Sequence, residues 1–154
     1  MSSYYNLIKI SSKKLEEINK NQDNYDKKFW GKLAIFYKLP EEFIEKNWEY
    51  LDIDDISSWQ NLSEEFIRKH IEKLNIYSVS SHQNLSIDFL REFFNKLNSK
   101  AISLYQEIDK DFIKDFYEKL YLNEIKIRNL IEDFMSEEEL DSLIVMKKLI
   151  SKEE

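Results

Sequence analysis

Three stretches of 23 residues follow one another without a gap: LPEEFIEKNWEYLDIDDISSWQN (39–61), LSEEFIRKHIEKLNIYSVSSHQN (62–84) and LSIDFLREFFNKLNSKAISLYQE (85–107). A fourth, weaker copy covers 108–130. A unit of this length cannot bury its own apolar face, so a chain built from such units has to stack them. The columns say what is stacked. The first position holds Leu39, Leu62, Leu85 and Ile108, the fifth Phe43, Phe66, Phe89 and Phe112, and the sixth Ile44, Ile67, Leu90 and Ile113. The tenth holds Trp48, Ile71, Phe94 and Tyr117, and the thirteenth Leu51, Leu74, Leu97 and Leu120. Intervals of four, one, four and three are helical. The rhythm then breaks and restarts at Ile53, Ile76 and Leu122, with Ile56, Val79, Ile102 and Ile125 three further on. Two short helices per copy follow.

The punctuation agrees. Ser63, Ser86 and Asp109 stand where a side-chain oxygen can cap a helix start, and Pro40 takes that place in the first copy. Between the two helices stand Asp52, Asn75 and Asn98. These residue types best tolerate a left-handed backbone when glycine is scarce, and the chain has one glycine and one proline. The expectation is an all-α fold: a right-stacked array of two-helix repeats, α-solenoid-like, with helical N- and C-terminal caps. Within a single domain, 1–38 form the N-terminal cap, in which WGKLAIFYKL (30–39) repeats the second half of a copy. Residues 39–130 form the four copies, and 131–154 an acidic capping helix. Paired charges such as Glu65 with Lys69 and Asp115 with Lys119 are expected to form ladders along each helix.

The wording LSEEFIRKHIEKLN, then an apolar or Trp position, then IS or VS and QNLS, resembles the short helical repeats of uncharacterised bacteriophage and giant-virus proteins. The likeness covers about residues 30–130, with Trp30 at the tryptophan position of that family. It implies a viral or mobile-element interaction protein and brings no catalytic residue with it.

Composition removes whole classes of function. With no cysteine, neither a disulfide framework nor a thiolate metal site can form. The near absence of glycine removes phosphate-cradling loops. His70 and His82 are the only histidines and fall in different columns, as packing residues do. No nucleophile turn or metal-ligand spacing accompanies them, so the expectation is no enzyme, no cofactor and no metal. No apolar run is long enough for a membrane helix and no leader pattern opens the chain, so the expected setting is the cytoplasm, of a host cell if the protein is viral.

Charge separates the copies where packing does not. Residues 1–38 carry eight Lys against four acids, whereas 39–61 carry seven acids against Lys46. The next three copies balance, and 131–154 carry eight acids against three Lys. The acidic first copy also interleaves large rings in WEYLDIDDISSW. The candidate partner-binding residues are therefore Trp48, Glu49, Tyr50, Asp52, Asp54, Asp55 and Trp59. Tyr50 draws attention because its column otherwise holds Lys73, Lys96 and Lys119 and should face water. Direct nucleic-acid binding is disfavoured, since only the N-terminal lysines offer a basic stripe. The partner expected is a protein with a basic surface, in the concrete case a nucleic-acid-binding defence effector inhibited in the manner of an anti-CRISPR protein. The alternative is a self-assembling scaffold of viral origin, in which the basic N-terminal segment of one chain meets an acidic region of another.

Overall fold

The computed structural model describes residues 7–127 and 136–150. By contact density the chain forms two compact units, Met1–Gln83 and Asn84–Glu154. The described residues are mostly helical, with eleven α-helices and one two-stranded sheet.

The first unit opens with strand β1 (Ile8–Lys9), helix α1 (Ser12–Lys20) and a 3-10 turn at Gln22–Asn24. Helix α2 (Lys27–Phe36) and strand β2 (Tyr37–Lys38) follow. β1 and β2 pair in parallel, Ile8 opposite Tyr37 and Lys9 opposite Lys38. This small sheet departs from the purely helical expectation. Helices α3 (Glu41–Lys46), α4 (Ile53–Trp59), α5 (Glu64–His70) and α6 (Ile76–His82) complete the unit. The second unit contains α7 (Ile87–Phe93), α8 (Ser99–Tyr105), α9 (Lys110–Phe116), α10 (Leu122–Ile127) and α11 (Glu137–Ile150).

Each copy thus holds two helices, as its two apolar rhythms require. The core follows the columns: Phe43, Phe66, Phe89 and Phe112 are all buried, as are their neighbours Ile44, Ile67, Leu90 and Ile113. In the first unit α2 packs on α4 and α4 on α6; in the second α8 packs on α10 and α10 on α11. Ser63, Ser86 and Asp109 accept from the amides of Phe66, Phe89 and Phe112 at 3.1, 3.2 and 2.7 Å, the capping bond that an N-cap side chain makes to the third helical residue.

Asp52, Asn75 and Asn98 play a different part from the expected one. Their φ angles are −76°, −72° and −84°, extended backbone rather than left-handed. Each is the N-cap of the second helix in its copy. Asn75 accepts from Ser78 N–H at 3.0 Å, Asn98 from Ala101 N–H at 2.9 Å, and Asp52 from Asp54 N–H at 2.9 Å. The reversal itself is made upstream, where Leu51, Leu74, Leu97 and Leu120 bond back to the carbonyls of Asn47, His70, Phe93 and Phe116. Two of the expected ladder residues pair across copies instead. Lys69 pairs with Glu45 at 2.7 Å and Asp115 with Arg91, each partner lying in the neighbouring copy rather than on the same helix.

A column of glutamines closes the junction between copies. Gln60 accepts from Leu39 N–H at 2.9 Å and donates to the carbonyls of Ala34 and Tyr37. Gln83 repeats the arrangement, accepting from Leu62 N–H at 3.0 Å and donating to Ser57 and Gln60 carbonyls at 2.8 Å each. In the second unit Gln106 accepts from Leu85 N–H at 3.3 Å. The amides and carbonyls so engaged belong to an extended link and a helix end, where backbone groups need partners from outside the helix. A serine column assists: Ser57 and Ser103 are fully buried, and their hydroxyls accept from Asn75 and Tyr121 amides at 3.0 and 2.9 Å.

Candidate functional site

The seven residues singled out in the first copy divide into two groups. Glu49, Tyr50, Asp52 and Asp55 line one cleft, together with Tyr25, Lys27, Trp30, Gly31 and Leu51. Its volume is about 420 Å³. Trp48, Asp54 and Trp59 are not among the lining residues. Trp48 is half-buried, its ring 6.0 Å from Phe66 and 5.2 Å from His70, with the Lys73 ammonium 5.7 Å from its centroid. Asp54 accepts from the Asn75 side-chain amide at 2.6 Å. Trp59 is half-buried on α4.

The cleft is built where α2 and the 3-10 turn meet the link between α3 and α4. Asn47, fully buried, ties these pieces together: its side chain donates to Asn19 Oδ1 at 2.8 Å and accepts from Gln22 Nε2 at 2.5 Å. In the other copies that column holds His70, Phe93 and Phe116, so Asn47 marks the place where the N-terminal cap docks. Tyr50 is explained by the same meeting. Its ring stacks on Trp30 at 5.1 Å and 24°, and its hydroxyl donates to Asp23 at 2.6 Å. That hydrogen bond, with burial and the charges of Asp23 and Glu49, raises the tyrosine pKa. Tyr50 replaces the column's lysine because it packs against the cap, and it does not stand free in water as its column suggested.

Three carboxylates and one ammonium face the cleft. Asp52 is committed to capping α4, while Glu49 and Asp52 remain exposed. Asp55 is half-buried, and its carboxyl is held above the usual range, first by burial and then by the neighbouring charges of Asp52 and Asp54; Lys27 acts in the opposite direction. The aromatic rings of the wall pack on one another. Tyr25 stacks on Phe29 at 4.1 Å and meets Trp30 edge-on at 6.3 Å. Trp30 is 2% exposed, and its Nε1–H is buried without a hydrogen-bond partner among the described residues.

Elsewhere both histidines have close polar partners. His70 Nε2 lies 2.7 Å from Glu45 Oε1, with its ring against those of Trp48 and Phe66. Glu45 is held below the usual carboxylate range by hydrogen bonds from Lys69 and then His70. His82 is exposed and pairs with Ser81 at 2.7 Å. Among the described residues no group of three or more His, Asp or Glu is arranged to hold a metal ion. None of their helices is long and apolar enough to cross a membrane. Ser57, Ser80 and Ser103 on the second helices of their copies are fully buried.

Residues of the cleft that sequence reasoning missed are Tyr25, Lys27, Gly31 and Leu51, with Trp30 taken only as part of a half-repeat. They lie outside the repeat or in its core columns, and the signal that could have found them was Asn47 standing in an aromatic column. No protein-family model matches the chain, and comparison with curated proteins and with solved structures gave no match.

Proposed function

We propose that the protein is a non-enzymatic binding module: a stacked, α-solenoid-like array of two-helix copies whose acidic first copy receives a basic surface of another protein. The observation that carries this reading is the cleft of about 420 Å³ at that copy, faced by Glu49, Asp52 and Asp55 against the single Lys27. Concave sites that combine apolar walls with a few convergent polar groups are where binding concentrates. The carboxylates supply attraction and orientation toward lysine and arginine, while the aromatic wall supplies contact area. In its concrete form the partner is a nucleic-acid-binding effector of host defence, such as a CRISPR nuclease. The acidic surface would occupy a groove that otherwise receives phosphates.

The test is affinity capture from host-cell extract at low salt, with wild type beside the double variant Glu49→Lys, Asp52→Asn. Asparagine caps a helix as well as aspartate does, so the variant alters charge and keeps α4 in place. Basic proteins should be retained by wild type, elute with salt and be lost from the variant. Identical captured sets would overturn the reading. Self-assembly is the second reading, favoured by one observation: Val145, Met146 and Leu149 on α11 are 55%, 51% and 59% exposed.

A further inference from the structure

Gly31 is the chain's only glycine, and it sits in the middle of α2. Glycine is the poorest interior helix residue after proline, so its presence there calls for a reason. The backbone does not supply one, since the residue is helical rather than left-handed. Packing does not supply one either. A Cβ built at Gly31 meets only Asp55 Oδ2, at 3.8 Å, an ordinary contact. What a side chain at this position would take up is space in the cleft beside Asp55.

That space has the character of a cation receptor. Tyr25 and Tyr50 line it over the buried Trp30, and Glu49, Asp52 and Asp55 supply negative charge beside the single Lys27. Burial and two neighbouring carboxylates raise the pKa of Asp55, with only Lys27 acting against them, so a further positive charge beside it would be favoured. No metal-binding arrangement is present among the described residues, so the cation is organic. A guanidinium suits the site better than an ammonium, because it is planar, sheds water more readily, stacks on aromatic rings and forks onto a carboxylate.

We propose that the cleft is a receptor for one arginine side chain of the partner protein, admitted beside Asp55 by the missing side chain of Gly31. This rests on the reading that the acidic first copy is the binding surface. The probe is N-acetyl-arginine methylamide, compared with its citrulline and lysine counterparts. Binding is followed by the NMR signal of the Trp30 indole N–H, assigned with Trp30→Phe. Wild type should give a saturable shift with the arginine probe, a weaker one with lysine and none with citrulline. Gly31→Ala should weaken arginine binding about tenfold, as loss of close contact to a charge-assisted pair does, while its melting temperature stays level or rises. Equal affinity of Gly31→Ala and wild type, or equal binding of citrulline and arginine, would overturn the receptor. The capture experiment separates the two levels. Loss of partner with Glu49→Lys, Asp52→Asn but full retention with Gly31→Ala removes the arginine receptor and leaves the acidic surface standing; retention by both removes both.

Discussion

Gln83 has a side chain with one acceptor and two donors used at once, on Leu62 N–H and on the Ser57 and Gln60 carbonyls. Gln83→Ala leaves three backbone groups buried without partners and should lower the unfolding free energy by about 2–4 kcal/mol in urea titration. Gln83→Glu keeps the acceptor but sets a buried carboxylate oxygen against the two carbonyls, so at neutral pH it should destabilise at least as much as alanine. A loss under about 0.5 kcal/mol for alanine would mean that water replaces the amide there. This role was not legible beforehand, although Gln recurs at the last position but one of all three stretches. Glutamine at a helix end usually faces solvent, and its partners here lie 21 to 26 residues earlier, beyond any local pattern. The phenylalanine columns were legible for the opposite reason. Burial of Phe43, Phe66, Phe89 and Phe112 is written directly in helical spacing.

Among the elements, helix ends decide two further matters. Had Asn98 been chosen for a left-handed backbone, glycine would improve it. Because Asn98 is instead an extended N-cap bonding Ala101 N–H, Asn98→Gly should destabilise by a few tenths of a kcal/mol or more and Asn98→Asp should be close to neutral, as thermal unfolding of the two variants would record. Helix α11 is anchored at its start. Ser136 and Glu139 bond each other's amides, at 3.2 Å to Ser136 Oγ and 3.0 Å to Glu139 Oε2, as in a capping box. Glu139 also pairs with Lys110 at 2.7 Å. Hydrogen bonds from Lys110 and Ser136 bring its pKa down to about 2. A carboxylate depressed in the folded state stabilises above its unfolded pKa, and that contribution disappears as pH falls from about 4.5 to about 2. Amide NMR of α11 should therefore show the helix start loosening across that window in wild type, and a Glu139→Gln variant already loosened at neutral pH with a flatter response. The existence of α11 was legible in MSEEELDSLI, where Ser136 and Glu139 already have capping-box spacing, but the Lys110 pair joins residues 29 apart that share no local pattern. The cleft was half legible. Its acids stood out by charge, whereas its other wall, at residues 25–31, shares no column with them.

For the molecule as a whole, charge and exposed apolar surface pull toward different expectations, and dilution separates them. Sedimentation from about 100 μM to 1 μM should give one mass, that of the monomer, for a binding module that waits for its partner. A mass that falls on dilution, and falls further when Leu149→Lys is introduced on α11, would favour assembly through that helix. The net charge of −7 disfavours close packing of copies at low salt, so the measurement belongs at physiological ionic strength. The glutamine junctions carry one more consequence, which concerns time. The bonds of Gln60 to Leu39 and Tyr37, and of Gln83 to Leu62 and Ser57, all reach back to backbone that precedes them. A chain leaving the ribosome N-terminus first can therefore close each junction as soon as its glutamine emerges, so that folding keeps pace with synthesis and unpaired backbone is never longer than about one repeat.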